Sequence, residues 1–250
     1  MRKVAIALLL AASLFADVAE LLPDGVYHKN RAIVQAIAAK GGGLVRQLQL
    51  LERAGVMREA FGVSGGRTIY MRASQKPLLL MHLGQRALEQ AGVFTYHLKS
   101  LASSGYGITQ TFEIGRQEAP QLSRLVAYLQ RHGVSVRRLV FSGGWRIDLD
   151  LSGARADAKR ANGVAHFDVP KEGLWLDVCG AVQVSLAAGG GRWYPKVFIY
   201  DDDLEPLERY IAQSAAHTIT LSLPNGACYI KISDRFTPKN LKRGLRVKVR

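Results

Sequence analysis

The stretch "LVRQLQLLERAGVMREAFGVSGGRTIYMRAS" (44–74) aligns without a gap on "LSRLVAYLQRHGVSVRRLVFSGGWRIDLDLS" (122–152). Eleven of the 31 positions are identical at a constant offset of 78. They include Leu51/Leu129, Gly55/Gly133, Val56/Val134 and the run Ser64-Gly65-Gly66/Ser142-Gly143-Gly144. Self-similarity at a fixed spacing marks a duplicated structural unit. In each copy Leu44, Leu48 and Leu51, or Leu122, Val126 and Leu129, recur at helical spacing and give a helix one apolar face. Gly55 and Gly133 follow at once, where a helix end favours a residue tolerant of positive φ. A β-like run comes next ("SVRRLVF" in the second copy), then Gly-Gly as a hairpin turn, then a strand of period two. Trp145, Ile147, Leu149 and Leu151 take one face of that strand, and Arg146, Asp148 and Asp150 the other. Each unit therefore reads helix, strand, turn, strand, with Ser64 and Ser142 in two equivalent hairpin turns.

A looser third copy fills the space between. In "PLLLMHLGQRALEQAGVFTYHLKSLASSGYGITQTFEI" (77–114) an apolar helix ends at Gly92-Val93 and two β-runs flank Ser103-Ser104-Gly105. Three αββ units (44–74, 77–114, 122–152) within residues 17–152 predict an α+β region with helices on one face of an antiparallel sheet. "DGVYHKNRAIVQAIAAKGGG" ahead of them reads as a further short helix, stopped by Gly41 to Gly43.

After a small polar connector (153–164) the texture changes. "HFDV", "LWLDVCGAVQVSLAA", "WYPKVFIYD", "TITLSLP", "ACYIKISD" and "LRVKV" are strand-like runs parted by turn residues. That spacing predicts a small antiparallel β-sandwich over 165–250, ending in a basic tail. Residues 166–234 also resemble the β-sandwich modules that follow the catalytic domains of secreted bacterial peptidases, the pre-peptidase C-terminal type domains. The resemblance rests on Tyr200-Asp201, Leu204, Leu223-Pro224 with Gly226, and Tyr229 with Ile230 and Ile232. It implies a secreted, non-catalytic fold. Cys179 and Cys228, the two cysteines, sit in this region and either pair in an oxidising compartment or pack as buried thiols.

The N-terminus points to export. Arg2 and Lys3 precede an uncharged apolar run, Val4 to Phe15, and Ala11, Ala12, Ser13 and Ala16 supply small residues. This is the pattern of a signal peptide over 1–16, cleaved after Ala16. The run is too short for a permanent span, and no other apolar stretch is long enough. The net charge of +14 favours an anionic partner. It is spread along the chain, at about +6 over 1–76, +5 over 77–164 and +3 over 165–250.

Catalytic motifs are weak. Gly62-Val63-Ser64-Gly65-Gly66 fits G-x-S-x-G, but a nucleophile elbow needs a strand before the serine and a helix after it, and "GGRTIYMR" is strand-like. The six histidines form no metal-ligand spacing, and "YDDDLE" (200–205) lacks the calcium-loop pattern. "GGGRW" (189–193) lacks a phosphate-loop context and reads as a turn. No catalytic residue, metal or cofactor is assigned. Trp145 and Trp175 are expected in the core, and Trp193-Tyr194 as the more exposed aromatics. The contact residues expected are Arg192, Trp193, Lys196, Lys242, Arg243 and Arg246. They suit an exported, non-enzymatic periplasmic or envelope protein that binds another envelope protein or an anionic polymer. The alternative is nucleic-acid binding. Residues 44–74 also resemble the end of a winged helix, with Arg46, Arg53, Arg58, Arg67 and Arg72 on phosphates.

Overall fold

In the computed structural model, which describes residues 18–105, 107–116 and 118–250, the chain is a mixed α+β protein. The expected signal peptide at 1–16 lies outside the described residues. The chain divides into two units between Ala154 and Arg155.

The N-terminal unit has six α-helices among the described residues: α1 (Asp24–Lys29), α2 (Arg31–Ala39), α3 (Leu44–Arg53), α4 (Val56–Gly62), α5 (Pro77–Gln90) and α6 (Leu122–Arg131). Its strands are β1 (Thr68–Ala73), β2 (Tyr96–Ser104), β3 (Gly107–Ile114), β4 (Ser135–Phe141) and β5 (Trp145–Asp150). Helices α3, α5 and α6 all end on a left-handed glycine, with φ of 78° at Gly55, 83° at Gly92 and 77° at Gly133. At α5 and α6 the paired bonds of a glycine C-cap are complete. Val93 N–H donates to the Leu88 carbonyl and Gly92 N–H to Glu89, and Val134 N–H donates to Leu129 and Gly133 N–H to Gln130, all at 3.0–3.1 Å. The valine after each glycine is buried (Val56, Val93, Val134).

Beyond Gly55 the first copy departs from the expected pattern. Residues 56–62 form α4, so this unit is helix–helix–strand and Ser64 lies in no hairpin. The reason is periodicity. Val56, Met57, Ala60 and Phe61 are buried at helical spacing, whereas Ser135–Phe141 lacks that spacing and carries β-branched Val136 and Val140. The second copy keeps its hairpin, with β4 pairing β5 across Ser142-Gly143-Gly144.

The five strands run in the order β2-β3-β1-β5-β4. The sheet is mixed rather than antiparallel. Lacking a hairpin partner, β1 enters at the centre, antiparallel to β3 and parallel to β5. The two Gly-Gly turns then meet. A Cβ on Gly65 would lie 2.5 Å from the Gly143 carbonyl oxygen, and one on Gly66 would lie 2.4 Å from the Ala60 oxygen. The Trp145 indole N–H donates to the Gly66 carbonyl at 2.8 Å, with Phe61 and Phe141 ring centroids 5.1 and 5.3 Å away. Trp145 is fully buried, as expected. Glu52, near the end of α3, accepts bonds from Ser123 N–H at 2.9 Å and Ser123 Oγ at 2.5 Å, in the first turn of α6.

The C-terminal unit holds β6 (Lys159–Arg160), β7 (Val164–Phe167), β8 (Leu174–Asp177), β9 (Gln183–Ala188), β10 (Pro195–Tyr200), β11 (Pro206–Ile211), β12 (Thr218–Ser222), β13 (Tyr229–Asp234) and β14 (Leu245–Val249). Two sheets form, ordered β11-β10-β13-β8-β6 and β12-β9-β14-β7. Both feed one core. Leu174, Leu176, Val197, Ile199, Ile230 and Ile232 come from the first sheet, and Val184, Leu186, Leu245 and Val247 from the second. Each such side chain contributes about 1.5–3 kcal/mol on full burial. Cys179, just past β8, is disulfide-bonded to Cys228, just before the neighbouring β13, which resolves the two alternatives in favour of pairing.

Two outcomes are expected. Gly65→Ala places a side chain both at positive φ and against the Gly143 carbonyl, whereas Gly55→Ala meets open space. Urea unfolding should show Gly55→Ala losing about 1 kcal/mol and Gly65→Ala clearly more. The disulfide closes a 49-residue separation, so reduction should lower stability by about 4 kcal/mol in the chain-entropy account, read as a drop in the denaturant midpoint.

Candidate functional site

Strand β10 sets the site by parity. Val197 and Ile199 point into the core, so Lys196, Phe198 and Tyr200 take the opposite face, half-exposed. Flanking strands extend that face. Trp175 of β8 pairs with Lys231 of β13, Lys231 with Phe198 of β10, and Phe198 with Arg209 of β11. One row across four strands thus reads aromatic, cation, aromatic, cation. The Lys231 ammonium lies 5.3 Å from the Trp175 ring centroid and that of Lys196 lies 5.4 Å from Phe198, both in cation–π range. Tyr200 sits 5.2 Å from Trp175 and 6.5 Å from Phe198, tilted by 32° to each. With Tyr200 near both, the three rings form one aromatic platform on the outer face. Partial burial raises the Tyr200 phenol pKa above its ordinary value. Beside it Tyr229 is buried, its hydroxyl accepting the Ala156 N–H at 3.2 Å.

At its other end the platform meets an ordered turn. Asp234 accepts bonds from the Tyr194, Phe236 and Thr237 N–H groups at 2.8–2.9 Å and from the Asn240 amide at 3.0 Å. Burial by itself raises the Asp234 pKa, but these four donors outweigh it and hold the carboxyl below its ordinary value. The turn presents Phe236, 64% exposed, with Tyr194 edge-on at 4.7 Å and the Arg235 guanidinium 5.1 Å from the ring centroid.

The expected contact residues do not form one patch. Lys196 belongs to the platform. Trp193 does not face solvent: it is fully buried in the core, because it shares inward parity with Pro195, Val197 and Ile199. Trp175, expected in the core, lies on the outer face instead, since Leu174 and Leu176 take the inner one. Arg192, Lys242 and Arg243 are exposed, and Arg243 packs against Gly189 and Gly190. Arg246 is exposed on β14, in the other sheet, between His166 and Ala187. Trp175, Phe198, Tyr200, Lys231 and Arg209 escaped the sequence reading. Extending the parity of Val197 and Ile199 along β10 was the signal available for Phe198 and Tyr200. The cross-strand register that adds Trp175, Lys231 and Arg209 is not local information.

Other motifs resolve as structure. Ser64 lies in a turn with α4 before it and β1 after it, the reverse of a nucleophile elbow. The Asp201 carboxylate accepts the N–H groups of Asp203 and Glu205 at 3.0 and 2.8 Å, closing the acidic turn on itself. No cluster of metal-ligating side chains occurs among the described residues. The stretch compared with a wing holds the central strand β1, where Arg72 pairs with Asp148 at 2.9 Å, and just before it Arg67 donates to the Gly115 carbonyl at 2.6 Å.

Comparison with known proteins identifies no family. No protein-family model matches the chain, and no curated protein matches it. Among solved structures, the EclA C-terminal domain, described as a sugar-binding protein, is 12% identical with a TM-score of 0.17, covering 39% of this chain and 82% of that one. The secreted serine protease VesC from Vibrio cholerae is 9% identical with a TM-score of 0.22, covering 61% of this chain and 39% of that one. Similarities this low carry neither fold nor function across.

The hydrogen bonds of Asp234 predict a pH dependence. A carboxyl whose folded pKa is depressed contributes stability that is present above its unfolded value and lost as pH falls through the folded one. Asp234→Ala should therefore destabilise the protein at pH 7, and the gap to wild type should shrink as pH drops below about 4, seen in thermal unfolding over a pH series.

Proposed function

We propose that this is an exported, non-enzymatic protein of the periplasm or cell envelope, whose C-terminal unit binds an envelope protein or an anionic polymer. The observation that carries the reading is the outward aromatic–cationic face of the β11-β10-β13-β8-β6 sheet. Half-exposed rings ordinarily pack inward, so Trp175, Phe198 and Tyr200 on one open face favour a contact surface over a merely solvated one. The Cys179–Cys228 disulfide supports an oxidising compartment, in line with the n-region and apolar run of residues 1–16. No helix among the described residues is long and apolar enough to cross a membrane.

We read the C-terminal unit as a small β-sandwich built on two sheets with a shared core, comparable in pattern to pre-peptidase C-terminal type modules. The N-terminal unit is read as the product of a duplicated helix-and-hairpin element, whose first copy has exchanged a strand for α4. A binding or scaffolding role suits this division. The nucleic-acid alternative draws less support, because two of its five arginines are engaged within the fold, Arg72 by Asp148 and Arg67 by the Gly115 and Glu118 carbonyls.

Export is the part tested most directly. Residues 1–25 fused to a reporter active only outside the cytoplasm should confer activity. An inactive fusion, with the reporter intact in the cytoplasm, would refute the envelope assignment.

A further inference from the structure

We infer that the outer face of the β11-β10-β13-β8-β6 sheet binds an acidic polysaccharide, one whose sugar rings carry carboxylates. This rests on the reading of the C-terminal unit as a binding module and names the ligand class of that same face.

The row Trp175–Lys231–Phe198–Arg209 decides the chemistry. Trp175 and Phe198 stand two strand spacings apart, about 10 Å, with a lysine between them and an arginine beyond. A pyranose offers an apolar C–H face and equatorial polar groups. Trp175, Tyr200 and Phe198, each neighbouring pair tilted by 32°, give such faces a cluster of aromatic carbon on the outer side of the sheet. The cations determine which sugar suits that cluster. Lys231 and Lys196 hold their ammonium groups over the Trp175 and Phe198 faces at 5.3 and 5.4 Å. A neutral sugar stacking there displaces a cation from its ring and offers it only uncharged hydroxyl acceptors. An acidic sugar brings a carboxylate that receives the displaced ammonium, so the exchange is balanced. Alternating rings and cations therefore match a polymer that alternates ring faces and carboxylates.

A single-stranded nucleic acid also combines stacking with charge. The location of the face argues against it. The two strands that contribute Trp175 and Lys231 are cross-linked by Cys179–Cys228, so the platform is stapled for an oxidising compartment rather than for the reducing cytosol or nucleus.

The test uses the oxidised full chain and isothermal titration with three probes: polygalacturonate, the same polymer with its carboxylates methyl-esterified, and single-stranded oligothymidylate. Polygalacturonate should bind, weaken as salt rises, and exceed the esterified polymer by about tenfold or more. Trp175→Ala and Lys231→Gln should each weaken it about tenfold, and Arg246→Gln, on the other sheet, should not. Thermal unfolding of each variant separates lost binding from lost folding, and Lys231→Gln stands alone if Trp175→Ala fails to fold. Equal binding of the esterified polymer, equal loss in Lys231→Gln and Arg246→Gln, or no polygalacturonate binding would each overturn the inference. Preference for oligothymidylate with the same sensitivity to Lys231→Gln would overturn the glycan class while leaving the face a binding site. Capture of an envelope protein that is lost in Lys231→Gln, without polygalacturonate binding, would do the same.

Discussion

The N-terminal unit depends on a contact that leaves no room for a side chain. Gly65 lies against the Gly143 carbonyl, and Gly66 is closed in by the Ala60 carbonyl and bonded to the Trp145 indole. These positions belong to the two copies of one sequence motif. The turns met first as equivalent hairpins turn out to be each other's packing partners. This close approach sets β1 beside β5 in parallel, with Ile69 opposite Trp145 and Met71 opposite Ile147. Trp145 then fills the space beside the turns, between Phe61 and Phe141. The remaining strands pair outward from that centre.

The same constraint accounts for the difference between the two segments. Had residues 56–62 formed a strand, β1 would have had a hairpin neighbour along the edge where β5 or β3 now bonds. The helix α4 removes that competitor, and its Phe61 reaches the Trp145 ring instead. The glycine caps were free to stay alike because they act within single helices. The segments after them were not, because each answers to a different place in the sheet.

This separates what was legible from what was not. The left-handed glycines at 55, 92 and 133, the inward alternation of Trp145, Ile147 and Leu149, and the strands of the C-terminal third are local patterns, and short-range periodicity carries them. The helix at 56–62 was also written locally, but the analogy with the second copy obscured it. Trp193 and Lys196 stand three residues apart, so extended chain turns them to opposite faces, and Trp193 takes the inner one. The pairing of Cys179 with Cys228 and the row through Trp175 and Arg209 depend on which strands become neighbours, and no local pattern states that.

Charge behaves differently in the two units, and the net value of +14 hides it. On the N-terminal sheet several cations are spent within the fold. Arg72 pairs with Asp148, Lys99 with Glu113, and Arg137 with Asp150, whose carboxyl is held at about 2, chiefly by the Ser152 N–H and side chain and then by Arg137. An approaching anion must compete with carboxylates already in place, and an exposed pair of this kind has little net field to offer. On the C-terminal sheet Lys196 and Lys231 stand over rings instead. A ring's quadrupole attracts a cation without cancelling its charge, so the full positive charge still faces outward. The unit with the smaller formal excess, +5 over residues 155–250 against +9 over 1–154, thus carries the cations best placed to meet an anion. Arrangement, rather than total charge, separates the two surfaces, and strand parity with cross-strand register produces that arrangement.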